Sequence, residues 1–177
     1  MKYLRKLIGL LLVFATTWNV AGYAQKIGYV NSEDILLILP DYKRAQKQLE
    51  QYGKNLENQL QSLMDEYKKK LEAYQKEVAT MPETVRKDKE LEILQLEDRI
   101  QKFQLQAQQD VLVKKQELLE PILKKINQAI QQVAKEKGYS YILDISVGTV
   151  LYAAPQYDVT DLVKRKLGIA SGAAPKR

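Results

Sequence analysis

The chain of 177 residues has no cysteine, no histidine and a single tryptophan. Without the first two, zinc sites of the usual Cys/His kind, thiol nucleophiles and Ser-His-Asp triads are excluded. Chemistry would have to come from carboxylate, lysine, tyrosine or hydroxyl groups. Acidic neighbours such as Asp65–Glu66 and Glu97–Asp98 exist, but they fall on solvent-rich helical faces, without the desolvation that would separate their proton affinities. An enzyme is therefore not expected, nor any catalytic residue, metal site or cofactor. The lack of cysteine does not argue against export, because oxidising compartments permit disulfides without requiring them. Charge of one sign is also missing: between Asp41 and Lys137 acidic and basic residues nearly balance. Nucleic-acid binding would call for a basic stripe with base-reading or stacking side chains, so no nucleic-acid partner is expected.

One apolar run stands out, Leu7–Ala15, and it is well short of the ~20 residues a membrane-spanning helix requires. Lys2, Arg5 and Lys6 precede it, and Gly22 and Ala24 place small residues at positions −3 and −1 before Gln25. Residues 1–24 thus read as a cleavable secretory signal peptide, cut after Ala24. Its loss removes three basic residues and no acidic one, lowering the net charge of +6 to +3. Trp18 leaves with it, so the exported protein should emit as a tyrosine protein.

Glycine and proline are scarce from Asp41 to Lys137, where only Gly53, Pro82 and Pro121 occur. From Leu49 to Met81 apolar residues recur as Leu49, Tyr52, Leu56, Leu60, Leu63, Tyr67, Leu71, Tyr74, Val78 and Met81. Steps of mostly three, four and four make an eleven-residue repeat, about 3.67 residues per turn, which favours a nearly straight or slightly right-handed pairing. Met81-Pro82 breaks this rod, and a second helix is expected to restart at Thr84 as N-cap. Its stripe runs Ile93, Leu96, Ile100, Phe103, Ala107, Val111, then Leu118, Ile122, Ile126, Ala129 and Val133, ending at Gly138. A short connection between long helices implies antiparallel neighbours, a hairpin arm over residues 41–137. Pro121 lies inside the second helix and should kink it near Glu117–Pro121, as a fixed bend or as a hinge. Met64, Leu94, Leu105 and Leu112 fall off the stripes. They either widen the helix contact or present an apolar surface to a partner.

Residues 25–40 and 138–168 carry the remaining apolar content. Lys26–Val30 reads as a strand, Asn31 to Asp34 as a helix N-cap, and Ile35–Leu39 as a short helix closed by Pro40. Tyr139–Ile145 reads as a second strand, turned at Val147-Gly148 into a return strand, Thr149–Ala153, to make a hairpin. Asp158 should cap a last helix ending near Gly168, and residues 169–177 read as a disordered tail. So few strands cannot enclose a core alone, and a tyrosine-rich body exposing strand edges is expected to pair with copies of itself. Tyr29, Tyr141, Leu151 and Tyr152 are the interface candidates. The fold class expected is α+β: a small β-rich body that joins copies of itself, with one long antiparallel helical hairpin per subunit.

Three features carry a family resemblance: the opening Lys26-Ile27-Gly28-Tyr29-Val30-Asn31, the long charged hairpin, and the closing Ile142-Leu143-Asp144-Ile145, Val150-Leu151-Tyr152-Ala153 and Asp158-Val159-Thr160-Asp161. The chain resembles the Skp/OmpH family of periplasmic chaperones over essentially all of the exported sequence. That resemblance implies a periplasmic homotrimer whose arms surround a cavity, working as an ATP-independent holdase for unfolded outer-membrane β-barrel proteins. Met64, Leu94, Leu105 and Leu112 then become candidates to face the held protein, and transient contact with a membrane surface stays open as a further interaction. The alternative is a structural or adaptor coiled-coil protein of the cell envelope.

Overall fold

Proline and glycine mark most element boundaries in residues 25–169, the part of the chain that the computed structural model describes. The expected leader, residues 1–24, and its expected cleavage after Ala24 lie outside the described residues, as do positions 170–177. The order is β1 (Ile27–Val30), α1 (Ser32–Ile38), α2 (Pro40–Glu77), α3 (Glu83–Lys137), β2 (Tyr141–Asp144), a 3-10 turn (Pro155–Tyr157) and α4 (Thr160–Lys166).

Asn31 caps α1, its side chain accepting from the Asp34 backbone N–H at 3.1 Å. Pro40 does more than close this helix. It forces Leu39 into an extended conformation and itself becomes the first residue of α2, where a missing N–H costs nothing. At the far end Pro82, not Thr84, occupies the N-cap of α3, and Glu83 begins the helix. No side chain caps this end; the Pro82 carbonyl accepts the first bond, from Arg86 N–H at 2.9 Å. Gly138 ends α3 in the left-handed region, at φ +68°, letting Tyr139 N–H reach back to the Ala134 carbonyl at 2.9 Å.

α2 and α3 run in opposite directions along each other. Asp41 meets Lys125 at 2.8 Å near the body, and Lys70 meets Glu92 at 3.0 Å near the far end. All ten apolar positions from Leu49 to Met81 are half-buried, as the eleven-residue repeat requires. α3 passes Pro121 without interruption of the helix.

The body departs from the sequence expectation at its third strand. β1 and β2 pair in parallel, Ile27 opposite Tyr141 and Val30 opposite Asp144. The expected return strand, Thr149–Ala153, is absent among the described residues. Gly148, at φ +72°, turns the chain away and leaves Leu151 98% and Tyr152 83% exposed. Strand propensity reports a pleated, half-buried surface, and within one chain nothing covers this segment. The other edge of β1 is taken by a bridge from Tyr29 to Asp158, with Val159 N–H donating to the Tyr29 carbonyl at 2.8 Å.

Gly28 is required by close approach: a Cβ there would lie 3.0 Å from Cε1 of Tyr139 and 3.1 Å from Cγ1 of Val159. Beneath it, Val30, Ile35, Leu39, Val159 and Val163 form the core together with the helix roots, Ala45, Ile122, Ile126, Ala129 and Val133. α4 ends with Gly168 N–H donating to Arg165 and Ile169 N–H to Lys164, both at 3.0 Å. Ile169, the first residue of the expected disordered tail, packs against the core; the rest of that tail lies outside the described residues.

Candidate functional surface

The arm has one flank unlike the other. A hollow of about 400 Å³ lies between the helices at mid-arm, walled by Gly53, Leu56 and Leu60 from α2 and by Phe103, Ala107 and Val111 from α3. Closer to the body follow a hollow of about 260 Å³ beneath Tyr42, Leu49 and Leu118, and one of about 900 Å³ along α3 from Leu112 to Gln131. Lys115 and Leu119 line both of these. Gln104, Gln108, Lys115 and Leu119 follow one another at steps of four, seven and four, which keeps them on one line of the helix. The mid-arm hollow and the one beneath Tyr42 are lined by both helices and the third by α3 alone, and the three form an apolar belt along about 42 Å of α3. Leucine and amide side chains dominate it, with Glu57, Glu120, Lys115 and Lys124 as its charges.

Met64, Leu94, Leu105 and Leu112 are all exposed. Within the single chain they do not widen the contact between α2 and α3. Met64 follows Gly53 by three helical turns on α2, on the side of the mid-arm hollow. Leu112 lines the hollow nearest the body. Leu94 and Leu105, eleven residues apart, form a ridge along the outside of α3. The sequence reading missed Leu119 and the exposed Leu123, although Leu123 stands eleven residues after Leu112 and repeats the spacing of Leu94 and Leu105.

The body contributes a second apolar surface. Ile27, Tyr29, Tyr141 and Leu143 share the outward face of the two-stranded sheet, with Ile27, Tyr141 and Leu143 substantially exposed. Burial, the Asp158 carboxylate and nearby Tyr152 together hold the Tyr29 hydroxyl above the ordinary tyrosine range. Three of the interface candidates thus gather on one side of the body, while Leu151 projects from it. Among the described residues β2 has a partner on one edge only.

Polar groups tie these parts together. Asp144 accepts from Ser146 N–H at 3.0 Å, from Ser32 N–H at 3.3 Å and from the Ser32 hydroxyl. Burial pushes its carboxyl up, and the bonds from Ser32 and Ser146 more than reverse this, so the net value lies below the usual carboxylate range. On the arm, a hydrogen bond from Lys125 chiefly depresses Asp41, and one from Lys70 chiefly depresses Glu92. Tyr74 donates to Glu90 at 2.5 Å, which raises its own proton affinity. Among the described residues no cluster of three acidic side chains is placed to hold a metal ion.

The family model described as outer membrane protein (OmpH-like) matches residues 26–167. Chaperone protein Skp of Pectobacterium atrosepticum is 30% identical over 158 residues, 89% of this chain and 94% of that one. Its counterpart in Vibrio cholerae is 26% identical, covering 88% and 92%. The crystal structure of an OmpH-like protein from Caulobacter crescentus superposes with a TM-score of 0.71 at 18% identity, over 86% of this chain and 90% of the other. That likeness extends to the fold.

Proposed function

The chain belongs to the OmpH-like outer membrane protein family, and from that membership we propose that it is a periplasmic chaperone of outer-membrane proteins, acting as a homotrimeric, ATP-independent holdase. The relatives named Skp supply the chaperone class. The observation that carries the mechanism is the exposed apolar lining of a self-supporting arm. α2 and α3 already bury their stripes against each other, yet Leu105 remains 70% and Leu112 61% exposed. Isolated leucines among glutamines and lysines offer many weak contacts in place of one fitted site, which suits clients of varied sequence. Each contact is small, and several arms around one client raise the local concentration of such contacts by linkage.

The body accounts for the copies. A two-stranded sheet is marginal alone. Its apolar outer face, the open edge of β2 and the exposed segment at Leu151–Tyr152 are the parts that a neighbouring subunit would cover. Three bodies joined in this way would hold their arms around a common space. Release then follows from competition, because a barrel folded in the membrane buries the apolar side chains that the arms touch only loosely.

The test is aggregation of a urea-unfolded outer-membrane β-barrel protein on dilution, followed by light scattering. Exported protein at one trimer per client should keep it soluble without nucleotide. Undiminished aggregation at that ratio refutes the holdase mechanism. A pull-down dominated by a single folded protein would point to an envelope adaptor instead.

A further inference from the structure

Gly53 has no local reason to be glycine. It sits inside a 38-residue helix, where glycine weakens the helix relative to alanine. Its backbone is not in the left-handed region, and a Cβ built on it meets no atom within 4 Å. Neither a strained turn nor a close approach accounts for it. What the missing side chain leaves is the hollow of about 400 Å³ between Leu56, Leu60, Phe103 and Val111.

We propose that this hollow is a side-chain subsite, which receives an apolar side chain of the extended polypeptide held by the arm. The proposal rests on the holdase reading above and names a place where the held chain is gripped. The walls are apolar, and the rim carries the amides Gln104 and Gln108. Each amide offers two donors and an acceptor. An extended, unpaired chain presents a backbone N–H and C=O on either side of every apolar side chain, and these match such a rim. A lipid acyl chain would fill the walls but leave both amides unpaired. An anionic ligand would meet Glu57, the one charged side chain lining the hollow. The chain's own last residues, Ala170 to Arg177, contain no large apolar side chain to insert. Val111 in the wall of this hollow is followed by Leu112 in the wall of the hollow nearest the body, so a client segment seated at Gly53 would meet further apolar side chains closer to the body.

The experiment compares Gly53→Ala and Gly53→Leu with the unmodified exported protein. Thermal melting is followed by circular dichroism, and binding of a urea-unfolded outer-membrane β-barrel protein by fluorescence anisotropy. Ser62→Leu, lining a hollow on the other side of α2, is the control for added apolar bulk. Both Gly53 variants should melt at higher temperature. The dissociation constant should rise at least fivefold for leucine and less for alanine, with Ser62→Leu unchanged. A constant that stays level or falls for Gly53→Leu overturns the subsite and makes the hollow a packing defect. Equal weakening by Ser62→Leu overturns it as well, as does a changed oligomeric mass of Gly53→Leu, which would assign the hollow to a contact between subunits. If the unmodified protein binds no client, the holdase reading itself has failed.

Discussion

Replacing Asp144 by alanine should weaken the body by about 2 kcal/mol at neutral pH, and the loss should fade in acid. The carboxylate is the meeting point of three donors, Ser32 N–H, the Ser32 hydroxyl and Ser146 N–H, on segments separated by 112 residues or more in one direction and two in the other. Hydrogen bonds to a charged group contribute about 1.5–3 kcal/mol, and donors left without a partner add a desolvation cost of similar size. The site is only half-buried and water can replace part of the loss, which places the sum near 2 kcal/mol rather than at the total. For a chain of this length that corresponds to roughly 4–8 °C in melting temperature. The pH dependence has a definite sign. A carboxyl held below its ordinary value binds fewer protons folded than unfolded. Its contribution is complete above the unfolded value, about pH 3.9, and disappears as pH falls through the lower folded value. Urea unfolding of exported protein, followed by tyrosine emission, should show a difference between Asp144→Ala and the parent at pH 7 that shrinks progressively as the pH is lowered below the unfolded value. A gap that persists undiminished in acid would show that the loss comes from packing and refute the hydrogen-bond account. No gap at pH 7 would show that Asp144 does not join the two ends of the body.

Gly28→Ala should cost about 1–3 kcal/mol through overpacking against Tyr139 and Val159, read by thermal melting, with Tyr139→Leu in the same chain recovering part of the loss. Leu151→Asp should dissociate the oligomer, lowering the native mass to that of one chain while circular dichroism keeps its helical signal. Deletion of Tyr52–Val113, followed by direct joining of the helices, should leave the oligomeric mass intact per shortened chain and abolish client solubilisation by light scattering. Lys70→Ala at the far end of the arm should leave the melting temperature essentially unchanged, because both partners in the ion pair with Glu92 are exposed.

The limits of that deletion illustrate what was legible before the structure. The helices themselves could be read, since every α2 residue of the stripe from Leu49 to Tyr74 occupies the half-buried face that its spacing implies, and Val78 and Met81, just past the helix end, are half-buried as well. Where the arm stops belonging to the body could not be read. Ile122 and Ile126 continue the α3 stripe with unchanged period, yet they pack into the core beside Val159 and Val163. A cut at Gln128 would remove both, whereas the cross-arm pairings Asp41–Lys125 and Lys70–Glu92 place the end opposite Tyr52 near Val113. Periodicity records that a face is buried, not what buries it. The absent return strand failed for the same reason: Thr149–Ala153 has strand-like residues, and strand formation needs a neighbour that the single chain does not supply. The candidate flank was half visible. Leu94, Leu105 and Leu112 are conspicuous as off-stripe leucines, but the hollow at Gly53 comes from a missing side chain, and only the facing Ala107 and Val111 reveal it.

The body and the arm are therefore not separable in the way their compositions suggest. β1 and β2 are parallel neighbours, which requires a crossover between them, and the crossover here is the entire arm. Closing so long a loop is offset because the helices fold the chain back on itself, returning Lys125 to Asp41 before β2 is reached. Ile122, Ile126, Ala129 and Val133 then complete a core that the short strands cannot fill. The root of the arm is thus fixed by burial in the body. Beyond it, the helices are held only by their half-buried stripes and by exposed polar pairs such as Tyr74–Glu90. Stability falls from root to tip for that reason, and the far end can yield without dismantling the body.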